Sequence, residues 1–116
     1  VSISKIKRIQ LYLRENGKCP FEDWFLKLKD GIGKAHIAAR IEKIRQGLES
    51  NQKSVGAGVL ESKIYSGPGY RLYFGLDGDE IVILLLGGSK QRQDADINKA
   101  KEYWKDYEEH KNAKAK

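Results

Sequence analysis

Two cations and two phenols recur at alternate positions around one tight turn. Lys63 and Tyr65 precede Ser66-Gly67-Pro68-Gly69, and Arg71 and Tyr73 follow it. Successive side chains of a strand point to opposite faces. Leu60, Ser62 and Ile64 fill the intervening places before the turn, and Leu72, Phe74 and Leu76 those after it. The segment therefore reads as a β-hairpin. If its apolar set faces a core, Glu61, Lys63, Tyr65, Arg71 and Tyr73 share the open face. Two cations and two phenols so placed suit a phosphodiester to be held and a base to be stacked. The same alternation also fits a plain solvated face with cross-strand pairs such as Glu61 with Arg71.

A second group follows the most apolar run of the chain, Ile81 to Leu86. It reads Gly87-Gly88-Ser89-Lys90-Gln91-Arg92-Gln93. Paired glycines let backbone approach a ligand closely, and free N–H groups there attract anions; Lys90 adds a positive charge. The spacing is not that of a P-loop, and an ordinary strand-to-helix turn would look similar. Other chemistries find little support. His36 falls within a helical pattern and His110 near the end, no histidine–carboxylate cluster suggests a metal, and Cys19 has no histidine partner. No helix-turn-helix signature is legible.

These groups need elements to hold them. Ile9, Leu11 and Leu13 alternate with Arg8, Gln10, Tyr12 and Arg14, which predicts a strand over 5–14 with one wet face. Pro20, Glu22 and Asp23 suit a helix start, and Phe21, Trp24, Phe25 and Leu28 predict a helix over 20–30, ended by Asp30-Gly31. Ile37, Ile41, Ile44 and Leu48 form the stripe of a second helix over 34–49. Residues 50–58 read as a loop. The hairpin and the aliphatic strand follow, the latter apolar enough to be covered on both sides or most of its length. Ile97, Ala100, Trp104 and Tyr107 mark a last helix that opens near Asp94 or Asp96. Trp24, Phe25 and Trp104 are expected in the core. The order is β-α-α-β-β-β-α: an α+β fold, its sheet mainly antiparallel, its helices packed on one side.

A chain of 116 residues fits one domain, taken as 1–109, with 110–116 as a basic, disordered tail holding Lys111, Lys114 and Lys116. The net charge is +6, and Lys5, Lys7, Arg8, Arg14 and Lys18 face only Glu15 in the first twenty residues. Such a balance favours a polyanionic partner. The single cysteine excludes a disulfide framework within the chain and points to a reducing cytoplasm. No secretory signal is legible, and no apolar stretch approaches the ~18 residues of a membrane span.

The run Gly67-Pro68-Gly69-Tyr70-Arg71-Leu72-Tyr73-Phe74, followed by Leu86-Gly87-Gly88-Ser89-Lys90-x-x-Gln93-x-x-Asp96-Ile97, resembles the phage-derived addiction module killer proteins, the HigB/RelE-like branch of the RelE/ParE toxins. The Trp24-Phe25 helix, the Ala39-Arg40-Ile41 helix and Val55-Gly56-x-Gly58-Val59-x-Glu61 agree with it. The resemblance runs from the first strand to Tyr107. It implies a microbial-RNase-type sheet fold and the toxin of a type II toxin–antitoxin system, a metal-independent, cofactor-free mRNA endonuclease acting on the ribosome. By position it makes Lys63, Arg71 and Lys90 catalytic: Arg71 and Lys90 on the phosphate charge, Lys63 the candidate base. Tyr65, Tyr70, Tyr73, Gln91 and Arg92 become RNA contacts. Gly69, Gly87, Gly88, Gln93 and Asp96 become structural supports. The implied partners are the ribosome, mRNA and a cognate antitoxin with a helix-turn-helix domain, with operator DNA reached only through that complex and no membrane. The same fold also serves gyrase inhibitors of the ParE kind, and a non-toxic RNA-binding module is the third reading.

Overall fold

In the computed structural model, residues 6–48 and 52–114 are described. Lys5 of the first expected strand, Glu49 of the second expected helix, Ser50 and Asn51 of the expected loop, and Ala115 and Lys116 of the tail lie outside them. The elements run β1 (Arg8–Leu11), α1 (Pro20–Lys27), α2 (Gly31–Arg45), β2 (Gln52–Gly56), β3 (Val59–Ile64), β4 (Tyr70–Asp77), β5 (Ile81–Ser89), a 3-10 turn (Lys90–Arg92) and α3 (Gln93–Lys114). The sheet order is β1-β5-β4-β3-β2. β1 runs parallel to β5, and every other neighbouring pair is antiparallel. The expected α+β class and mainly antiparallel sheet are present.

The helices do not lie on one side. Phe21, Ile37 and Ile44 of α1 and α2 bury Ile64, Leu72, Phe74, Val82 and Leu84 on one face. Ala100 and Trp104 of α3 bury Val59, Tyr73, Ile83 and Leu85 on the other. The cause lies in β5: with one face covered, Ile83 and Leu85 would stand in water, at about 2 kcal/mol each. The second layer reaches back to Tyr12, expected on a wet face. It is buried, stacked on Tyr103, with its hydroxyl donating to Asp106 at 2.5 Å.

Other boundaries moved for identifiable reasons. Residues 52–56, read as loop, pair with β3 as an edge strand that no alternating apolar pattern announces. Asp30 opens α2 instead of closing α1, its carboxylate accepting from the Gly33 N–H at 2.9 Å. α2 stops at Arg45, so Leu48 lies beyond it and is 56% exposed. The tail expected to be disordered from 110 continues α3 to Lys114. His110 pairs there with Asp106 one turn back, and Lys111 reaches Asp77 at the end of β4. Trp104 is buried as expected, while Trp24 and Phe25 are partly buried at the edge of the first core.

Candidate functional site

The β3–β4 turn is fixed from both sides. Gly69 N–H donates to Ser66 O at 2.9 Å, and Gly67 and Gly69 take positive φ, 54° and 84°. Behind the turn, His36 Nδ1 lies 2.7 Å from Ser66 Oγ, and Tyr70 donates its hydroxyl to Asp30 at 2.8 Å. In front, the Lys90 N–H donates to Gly69 O at 3.1 Å, tying the segment after β5 to the hairpin. Between them opens a cleft of about 560 Å3, lined by Lys63, Tyr65, Arg71, Lys90 and Gln93 and by the turn itself. Lys63 is paired directly with Arg71, and Arg71 with Gly88. The three cations that stand far apart in sequence thus converge on one opening.

Under the cleft lies a polar network that the alternation pattern leaves in solvent. Glu61 is fully buried, and its Oε2 accepts from Tyr73 Oη and from Gln93 Nε2, both at 3.0 Å. Arg71 Nε stands 3.7 Å from the same oxygen. Glu61 Oε1 and Arg71 Nε are buried without a hydrogen bond. Burial, and next the Glu61 carboxylate, hold the Tyr73 hydroxyl far above the usual phenol range, so it remains a donor.

Several expected roles change accordingly. The face of Arg71 and Tyr73 is not open, because α3 covers it; Arg71 is 7% exposed and Tyr73 is fully buried. Tyr73 therefore has no ring face to offer RNA. Nor does Tyr70, which is buried on the opposite face of the sheet and packed edge-on to Trp24. Tyr65 is 86% exposed at the cleft and keeps a free ring. Gln91 and Arg92 are exposed on the 3-10 turn, but Arg92 leans toward Asp96, at 4.0 Å, and lines a neighbouring cleft with Trp24, Gly87 and Gly88. Gly87 passes beneath Trp24 and Gly88 beneath Asp96, so the two glycines make room for side chains, where the sequence suggested a ligand. Burial pushes the Asp96 carboxyl above its ordinary range. Glu61 was legible only as a cross-strand partner of Arg71. Its burial follows from α3, which strand periodicity does not reveal.

Among the described residues, no group of three His, Cys, Asp or Glu side chains gathers to hold a metal ion. Cys19 is buried just before α1, and burial pushes its thiol up, away from nucleophilic use. No helix of the described residues is long and apolar enough to cross a membrane.

The molecule is thus an α+β domain, a five-stranded mixed sheet between two helical layers, with a cation-lined cleft at one hairpin end. No family model matches the chain. It is 44% identical over 81 residues to an uncharacterized protein of Haemophilus influenzae, a match that covers 70% of this chain and 82% of that protein. The chain belongs to the family of that Haemophilus protein.

Proposed function

We propose that this protein is the toxin of a type II toxin–antitoxin pair, of the RelE/ParE kind, and that it cuts mRNA on the ribosome without a metal. The observation that carries the reading is the convergence of Lys63, Arg71 and Lys90 on one open cleft, with the exposed Tyr65 at its lip. The hairpin and loop motifs that resemble the HigB/RelE-like branch supply two of these cations, Arg71 and Lys90.

Cleavage at such a site is an internal transfer. Lys63 is the candidate base for the proton of a ribose 2′-OH. The 2′-oxygen bonds to the adjacent phosphorus, the bond to the 5′-oxygen breaks, and that oxygen takes up a proton from water, to which the base returns the one it took. The products are a 2′,3′-cyclic phosphate and a 5′-hydroxyl. Charge gathers on the phosphorane oxygens in the transition state, and in this reading Arg71 and Lys90 meet it. Tyr65 stacks on a neighbouring base. The partner that silences the toxin is an antitoxin able to cover this basic face, and opposite charge would speed the capture.

The test is a cell-free translation assay in which the protein meets a reporter message with ribosomes, and the same message without ribosomes in the presence and in the absence of EDTA. Cuts that appear only on translated message, in codon register, uphold the reading. A folded protein that leaves the message intact in every tube removes it and directs attention to a supercoiling assay with gyrase.

A further inference from the structure

We propose that Glu61 is a positioning residue for Arg71: its buried charge draws the Nε edge of the guanidinium inward and leaves the remaining N–H donors to the cleft. The role rests on the reading of Arg71 as the phosphate ligand.

Glu61 is held from three sides of the fold. Its own strand is β3, Tyr73 reaches it from β4, and Gln93 reaches it from the first residue of α3. Tyr73 and Gln93 both donate to one oxygen, Oε2, and Arg71 Nε stands 3.7 Å from the same oxygen, an ion pair without a hydrogen bond. That oxygen is therefore fixed in place, and its position sets where the Arg71 fork rests. The guanidinium is planar with five donors in a rigid arrangement. Nε is buried, so on that edge of the plane the charge of Glu61, rather than solvent, acts on the guanidinium.

An isolated scaffold has no need of this carboxylate. Desolvating an ion pair costs about as much as the attraction returns, and an apolar pair of similar volume commonly serves as well. Val59, Ile83 and Leu85 on the same face show that this layer packs with aliphatic side chains. A fixed guanidinium is useful where phosphate must be met without reorganisation. Gln93 lines the cleft and donates to Glu61, so a ligand seated against Gln93 touches a residue bonded to the anchor.

The test uses Glu61→Gln, which keeps an acceptor for Tyr73 and Gln93 and removes the charge beside Arg71. Two readouts are needed: the Arg71 Nε–Hε signal by NMR, with and without added inorganic phosphate, and single-turnover cleavage of ribosome-bound message. The variant is expected to shift the Arg71 signal. Its cleavage rate at saturation should fall on the order of tenfold to a hundredfold, with no rise in the half-saturating concentration, because removing a buried negative charge does not weaken attraction for phosphate. An unmoved Arg71 signal overturns the proposal. So does a loss of binding in step with rate and melting temperature, which marks a scaffold role. Should the variant not fold, Tyr73→Phe strips one donor from Glu61 and must shift the same signal; an unmoved signal there counts equally against the anchor. If the wild-type protein cuts no message, the nuclease reading falls. The NMR arm then decides the anchoring alone, for or against, by whether the Arg71 signal depends on Glu61.

Discussion

Lys63 and Arg71 stand directly opposite each other in the β3–β4 ladder. Like charges in register across an antiparallel pair repel, at a cost of about 0.2–1 kcal/mol. The cleft is thus assembled against the interest of the sheet. Lys63→Gln is expected to raise stability by up to about 1 kcal/mol while abolishing growth arrest on expression. Thermal unfolding beside a plating assay checks both, and a lowered melting temperature would mean that attractive contacts hold Lys63.

Arg71 carries the opposite expectation. Were the residue on a solvent face, Arg71→Ala would be harmless to the fold. Its burial beside Glu61 means that truncation strands a buried carboxylate, which costs on the order of 3 kcal/mol. Arg71→Lys keeps a charge, loses the fork, and should keep most of the stability. Urea unfolding separates them; an alanine variant within 0.5 kcal/mol, about the scatter of ordinary surface changes, would make the Glu61 contact energetically idle.

Gly87 and Gly88 are required by their neighbours. A β-carbon on Gly87 would overlap the Trp24 ring, and one on Gly88 would overlap the Asp96 carboxylate. Alanine at either position should destabilise by about 1–3 kcal/mol, as overpacking does. Gly78, at a turn with nothing within 4 Å, offers the contrast, since there a β-carbon meets only its positive φ of 69°. Denaturation midpoints of Gly87→Ala and Gly88→Ala near the wild-type value would show that Trp24 and Asp96 move aside freely.

Asp30 gives the acid limb of stability a specific origin. The Gly33 N–H, and next the Tyr70 hydroxyl, hold its carboxyl below the ordinary value of 3.8. A depressed folded value means that the contribution is present above 3.8 and is lost as pH falls through the lower, folded value. Asn still caps a helix and does not titrate. Melting temperature followed from pH 5 to pH 2 should therefore fall less steeply for Asp30→Asn than for wild type. Parallel curves would assign the acid loss to other carboxylates.

The strands and helices whose apolar periodicity is strong were legible from the residues alone: the β3–β4 hairpin, β5, and the stripe of α3 through Ile97, Ala100, Trp104 and Tyr107. The sequence also singled out the cations of the cleft, because strand alternation and turn residues are local properties. β2 escaped notice because an exposed edge strand needs no apolar alternation. The tertiary structure alone decided what covers each face. The aliphatic run of β5 fitted a strand covered on both sides or most of its length, yet the expected fold packed the helices on one side; only the docking of α3 shows that the second cover lies over Glu61, Arg71 and Tyr73. That burial converts a polar strand face into an anchored guanidinium beneath a cleft. The physical reason is range: periodicity reports which side chains share a face, whereas burial depends on a helix that begins at Gln93, more than thirty residues from Glu61 along the chain.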